Sequence, residues 1–235
     1  MGIRIGPKVA GDFRDLVAMG DLLQGVDKLF VVGGHRGFMR ASQGSFFNEP
    51  SFNELAGLSY RPELLDQAEE EALLTHVRNL PFRDFEFHGY TGKRRVVSFG
   101  WKYDFSGQKL READELPQFL RPLRVRAASF AKVKAEAFEQ VLVTEYRPGA
   151  GIGWHRDKGV FGEVVGISLL APCILRFRRK VSSPAISANE KWERVNILAD
   201  PRSAYHLTGP ARTEWQHSIL RVDALRYSIT FRTMA

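Results

Sequence analysis

A chain of 235 residues, 44% of them apolar, holds enough material for one sizeable core and little for a second. Its net charge of +7 favours a polyanionic partner. A single cysteine, Cys173, excludes an intrachain disulfide and suits a reducing compartment, and no apolar run approaches the ~18 residues of a membrane span.

Residues 1–55 read as an N-terminal extension, in which short apolar patches alternate with Gly33, Gly34 and Gly37. Gly33-Gly34-His35-Arg36-Gly37 lacks the Lys-Ser/Thr that a phosphate loop needs. There is no signal-peptide core, and Asp12, Asp15, Asp21 and Asp27 argue against a transit peptide. Gly6 stands where a myristoylation signal wants Ser or Thr, so a cytoplasmic protein is expected.

One domain is expected over 56–235. From Pro62 to Pro81 the periodicity predicts a helix with Leu64, Leu65, Ala68, Ala72, Leu73, Val77 and Leu80 on one face and Glu69, Glu70 and Glu71 opposite. Phe85 to Tyr90 reads as a strand running into a turn, and Arg94 to Phe105 as a second strand. This second stretch interleaves basic with aromatic residues, as stacking on bases and pairing with phosphate require; a hairpin packed on the core satisfies the same pattern. Pro117 to about Ala137 carries a second helix with Leu123, Ala127, Phe130 and Ala131 inward and Pro122 in its first turn.

Next comes Val141-Leu142-Val143-Thr144-Glu145-Tyr146, a β-rich run, then a turn built from Pro148, Gly149, Gly151 and Gly153, then His155 and Asp157. In extended backbone, residues two apart point to the same side, so the imidazole and the carboxylate converge. Alone, H-x-D is a weak signal. Val164 to Leu170 and Ile174 to Phe177 are further β segments split by Pro172, with Cys173 between them as a small buried hydrophobe. Arg176 and Arg178 alternate with Phe177, which puts both on one strand face near the site, where they read either as an edge for phosphate or as ordinary solvated surface. A polar loop over 182–192, a strand at Val195-Asn196-Ile197-Leu198 and a turn at Asp200 to Ser203 lead back to His217.

The chain closes on Arg226-Tyr227-Ser228-Ile229-Thr230-Phe231-Arg232. Arg226, Ser228, Thr230 and Arg232 share one face, and Tyr227, Ile229 and Phe231 line the other. An arginine facing a sheet interior needs an anionic partner, because an unpaired buried charge is too costly. Two histidines, one carboxylate and such an arginine describe a facial-triad iron site with a dicarboxylate cosubstrate. A structural zinc site would take four ligands and favour sulfur, which one buried cysteine does not supply.

The string E-Y-R-P-G, then H-R-D, a distal histidine and the closing R-Y-S-I-T-F-R resembles the AlkB-like Fe(II)/2-oxoglutarate-dependent dioxygenases from about Tyr60 to Arg232. The resemblance implies an α+β fold with a double-stranded β-helix (jelly-roll) core and supporting N-terminal helices. It further implies that His155, Asp157 and His217 hold Fe(II) and that Arg226 pairs with the distal carboxylate of 2-oxoglutarate. Tyr146 and Ser228 would assist Arg226, and Arg232 would lie near the cosubstrate's other end. Thr144 stands where the best-known members carry an Asn. Dioxygen is the third reactant, and the implied reaction hydroxylates an N-methyl group with release of succinate, CO2 and formaldehyde. The stretch after Tyr90 corresponds to the substrate-covering lid of nucleic-acid demethylases. Lys93, Arg94 and Arg95 would then steer the backbone, with Phe99, Trp101 or Tyr103 beside the base and Arg178 at the edge. Gly159 occupies the position where base-repairing members place an acid, so specificity for one methylated base does not follow. The expectation is a monomeric enzyme acting on alkylated DNA or RNA. The alternatives are the same chemistry on a protein or small molecule, or an idle nucleic-acid-binding module.

Overall fold

The computed structural model describes residues 55–87, 90–105, 107–181 and 191–235. The extension expected over residues 1–55 therefore lies, but for its last residue, outside the described residues.

The first strand, β1 (Leu58–Arg61), precedes helix α1 (Gln67–Val77). Asp66 caps α1 by accepting from the Glu69 amide while the Glu69 side chain returns to the Asp66 amide, so the helix starts five residues after Pro62. Its inward face also differs from the expected stripe: Ala68 and Ala72 are exposed, and Glu70 is buried beside Leu74 and Val77. The carboxylate is tolerated there because it accepts from the Leu170 amide (2.7 Å) and from Arg202 (3.2 Å).

Strands β2 (Arg83–Phe87) and β3 (Tyr90–Phe99) form a hairpin. The expected continuous strand from Arg94 to Phe105 breaks at Gly100, whose φ is +71° and where a Cβ would stand 2.0 Å from the Glu139 carbonyl oxygen. β4 (Trp101–Asp104) turns away to pair with β5 (Lys109–Glu112). Helix α2 (Arg121–Ala131) has Pro122 in its first turn, as expected, and buries Leu123, Ala127, Ala128 and Ala131; Lys132 ends it in the left-handed region.

The remaining strands are β6 (Phe138–Tyr146), β7 (Ile152–His155), β8 (Phe161–Leu169), β9 (Cys173–Lys180), β10 (Trp192–Ala199), β11 (Ala204–Leu207), β12 (Gln216–Ile219) and β13 (Arg226–Met234), with a short helix α3 (Gly209–Thr213) before β12. They build a seven-stranded sheet ordered β1-β11-β8-β13-β6-β3-β2 and a four-stranded sheet ordered β10-β9-β12-β7. One core lies between the large sheet and the helices: Leu74, Val77, Leu123 and Ala127 meet Val141, Val143, Ile229 and Phe231. A second core lies between the two sheets, where Leu175, Phe177 and Ile219 meet Tyr146, Val164 and Leu207. This is the expected jelly-roll with helices backing one sheet. β13 is two-faced as its sequence predicts, with Tyr227, Ile229 and Phe231 in the helix-side core.

Candidate metal and cosubstrate site

The site sits between the sheets, where β7 and β12 of the small sheet face β6 and β13 of the large one. His217 pairs directly opposite His155, and the β7–β12 register shifts by one residue just beyond, a bulge at Gly153–Trp154. The His155 and His217 rings lie 4.2 Å apart between centroids. Asp157 Oδ2 stands 4.0 Å from His217 Nε2. One ligand atom from each of the three residues falls within 4.8 Å of the others, a set that fits one ion.

The protein prepares these ligands. His155 Nδ1 lies 2.9 Å from the Gly153 carbonyl oxygen, which can only accept, so Nδ1 carries the proton and Nε2 presents its lone pair. Burial, with His155 beside it, drives the His217 pKa down to about 3, and burial lowers that of His155 too. Both rings are neutral at pH 7 and ready to ligate. Burial alone would raise the pKa of Asp157, but the Arg232 guanidinium, with Arg212 behind it, outweighs burial and holds the carboxylate ionised. Two neutral imidazoles and one carboxylate form a donor set suited to iron, with faces left open for further ligands.

The expected cosubstrate residues converge on the same cavity. Arg226 is 1% exposed; its Nε donates to Ser168 Oγ at 3.1 Å and its guanidinium lies 4.8 Å over the Tyr146 ring. Arg226 Nη1 is buried with no partner among the described residues. Such a donor is an unmet demand for an acceptor, and the distal carboxylate of 2-oxoglutarate fits it. Ser228 and Thr144 are buried side by side in register, next to Ser168. Arg232 stands beside the metal ligands: Nη2 donates to Asp157 Oδ1 at 3.1 Å and Nη1 to Gln140 at 2.9 Å, so it braces a metal ligand.

The lid residues divide by strand alternation. Arg94 faces the site, close enough to Tyr146, Arg232 and Asp157 to feel their charges, and its guanidinium lies 3.9 Å over the Phe85 ring. Arg95 points to the opposite face and forms a two-point ion pair with Glu145, so it does not steer a backbone at the site. Phe99 also falls on that far face, 5% exposed in the helix-side core, and cannot stack on a base. Trp101 is half-buried opposite Glu112 in the β4–β5 hairpin. Tyr103 does reach the site: Lys158, next to Asp157, places Nζ 5.0 Å from its ring. Lys93 is exposed. Arg178 is misplaced by the sequence reading. It shares a strand with Phe177, which faces His217, so it stands on the outer face of the small sheet.

Four contributors escaped the sequence. Phe85 and Phe105 join Tyr103 in an aromatic wall, with ring centroids 5.5 Å and 5.1 Å apart; only the β2 pairing and the β4 turn bring them together. Arg212, 9% exposed, donates to the carbonyl oxygens of Asp157, Lys158, Phe161 and Gly162, pinning the loop that carries Asp157. Tyr205 is buried near Tyr146 and Arg226, and burial pushes its phenol well above the ordinary range. Its ring fits because Gly166 has no Cβ, which would stand 2.2 Å from it. Cys173 is buried, and burial raises its thiol pKa, so it behaves as the expected inert hydrophobe.

The model of the 2OG-Fe(II) oxygenase superfamily matches residues 57–232. Among curated proteins, the Alkylated DNA repair protein ALKBH8 homolog of Arabidopsis thaliana is 28% identical over 182 residues, 70% of this chain and 51% of the relative. The mitochondrial Alpha-ketoglutarate-dependent dioxygenase alkB homolog 7 of Bos taurus is 28% identical over 165 residues, 68% of this chain and 66% of the relative. The chain thus spans about half to two-thirds of the length of these relatives. The solved structure of OsALKBH1 superposes with a TM-score of 0.54 at 15% identity, covering 75% of this chain and 96% of that one, which shows a shared fold. No helix among the described residues is long and apolar enough to cross a membrane.

Proposed function

Because the chain belongs to the 2OG-Fe(II) oxygenase superfamily, whose members use Fe(II), 2-oxoglutarate and dioxygen, we propose that it oxidatively demethylates N-alkylated bases in DNA or RNA. The observation that carries the substrate class is the wall of Phe85, Phe105 and Tyr103, capped by Lys158 beside Asp157. Flat rings next to a cation suit a base and its phosphate. The relatives' names, which speak of alkylated DNA repair and of alkB homologues, support the same reading.

In this reading His155, Asp157 and His217 hold the metal, Arg226 with Tyr146 and Ser228 holds the distal carboxylate of 2-oxoglutarate, and Arg232 with Arg212 fixes Asp157. When bound, iron and cosubstrate would activate dioxygen, the oxidant that hydroxylates the methyl group. The chain's part is to bind, to orient and to keep both imidazoles unprotonated. Such an intact set argues against an idle binding module. Cys173 is a buried free thiol, which fits a reducing compartment such as the cytoplasm, and one chain supplies all three metal ligands, as a monomer needs.

Arg94 favours a second reading. It faces the site with no carboxylate partner among the described residues, and Gly159 offers open space rather than an acid. N1-methyladenine and N3-methylcytosine are cations, which Arg94 and Lys158 repel. A neutral N-methyl base fits better, and so does a carboxylate-bearing protein or small-molecule substrate. Succinate and formaldehyde release, measured on methylated oligonucleotides carrying neutral or cationic lesions and on unmodified controls, decides. Release stimulated by none of the methylated strands would overturn the nucleic-acid reading.

A further inference from the structure

The outer face of the small sheet carries cations that nothing at the site explains. On β9, Arg176 and Arg178 project away from His217. Arg176 Nε donates to Ser218 Oγ at 3.0 Å, and Arg178 Nε to Gln216 Oε1 at 2.7 Å. Both guanidiniums lie over the Trp154 ring, at 4.8 Å and 4.5 Å, and Arg178 also lies 4.3 Å from the Trp192 ring. Arg194, exposed, stands directly opposite Arg178 on β10.

Several other arginines of this chain take carboxylates. Arg179, the neighbour that points to the other face, holds Glu193 and Glu214. Arg95 holds Glu145, and Arg202 holds Glu70. Arg176 and Arg178 meet neutral acceptors only, through Nε, and neither has a carboxylate partner among the described residues. Their terminal nitrogens are thus held in a plane by a hydrogen bond on one edge and an indole on one face. That is the fork that matches a phosphate at two points.

From this arrangement we infer that the Trp154–Arg176–Arg178–Arg194 face is a second nucleic-acid contact that grips the phosphate backbone without reading sequence. Charge complementarity selects the occupant, and the chain's net charge of +7 agrees. The route between the two sites is short. β7 is the edge strand of the small sheet, and on it Trp154 and His155 are consecutive, one facing out and one facing the metal site. A strand whose target base enters the site passes this edge, and its flanking phosphates reach Arg176 and Arg178. The inference rests on nucleic acid as the partner and is tested apart from the demethylation reading.

The test uses the full chain and unmodified single-stranded and duplex oligonucleotides, with binding followed by fluorescence anisotropy across a salt series. In R176Q/R178Q, affinity should fall at least fivefold at low salt, and the slope of log K against log salt should flatten by about 1 to 2. R176K/R178K keeps the charge and should retain most of the slope, which separates phosphate pairing from packing on Trp154. Melting temperatures of all three proteins check the fold, and R178Q/R194Q repeats the test should R176Q/R178Q fail to fold. Unchanged affinity and slope in the glutamine variants overturn the inference. So does arginine-dependent binding to phosphatidylserine vesicles without oligonucleotide binding, which would assign the face to a membrane surface. Oligonucleotide binding lost in the variants, with no demethylation by the parent chain, leaves this inference standing and removes only the demethylase reading.

Discussion

Arg232 donates to Asp157 Oδ1 at 3.1 Å, so the last arginine of the closing strand braces a metal ligand. Arg226, six residues earlier on the same face, is left with a buried, unpartnered Nη1. Two arginines that look equivalent in sequence therefore hold different things. Arg226→Ala should weaken 2-oxoglutarate binding by on the order of 3–5 kcal/mol, while Arg232→Ala should chiefly weaken metal. Calorimetric titration of each with Co(II) and then 2-oxoglutarate separates the two. A loss of cosubstrate affinity below tenfold in Arg226→Ala would show that the arginine is structural.

His217→Ala should abolish iron-dependent succinate formation and leave a folded protein, since one of three ligands is gone while the pairing of β12 with β9 is kept. Full turnover by the purified, iron-supplemented variant would remove His217 from the site.

Phe99 and Tyr103 should behave oppositely. Phe99→Ala opens a cavity in the helix-side core and should cost about 3–5 kcal/mol of stability. Tyr103→Ala removes a ring of the lid wall and should weaken oligonucleotide binding by roughly 1–3 kcal/mol with little change in melting temperature. Both quantities are measured on both variants; a Tyr103 change that lowers stability alone would make the wall a structural feature.

The metal-free protein should lose stability on acidification from the histidines. In the unfolded chain His217 takes a proton below the ordinary histidine value of 6.5, whereas burial holds the folded ring neutral down to about 3. The unfolded state thus binds the extra proton, and stability falls as pH drops from 6.5 towards 3 and is flat above. By pH 5 the loss from this ring is on the order of 1–2 kcal/mol. Urea midpoints of the parent and His217→Gln compared at pH 7 and pH 5 should converge at the lower value; parallel curves would refute the buried, neutral ring.

Arg212→Met should leave four carbonyl oxygens of the 157–162 loop without their donor and cost about 2–4 kcal/mol. Metal affinity should fall with it, because the loop carries Asp157. Hydrogen exchange confined to that loop is the readout, and unchanged protection there would mean the carbonyls find other donors.

The sequence by itself determined the parts written in local periodicity. Alternation fixes which residues of β13 face the cavity and which face the helices, and H-x-D places two ligands on one side of an extended segment. The closing R-Y-S-I-T-F-R carried the family resemblance, and with it the fold. Alternation does not say which face of a strand looks at which neighbour. Arg178 alternates with Phe177 just as the sequence says, yet Phe177 is the residue that faces His217, so the arginines point outward. Phe99 lost its expected role for the same reason, since Arg94 took the site-facing parity. Phe85 is 20 residues from Phe105, Ser168 is 58 from Arg226, and Arg212 is 50 to 55 from the carbonyls it holds, and no local pattern marks them. Only the pairing of β2 with β3, of β8 with β13, and the docking of α3 beneath the Asp157 loop bring them to the site. Side-chain chemistry is local, but which charges and rings share a cavity is decided by sheet order and by the sense in which each strand turns its two faces.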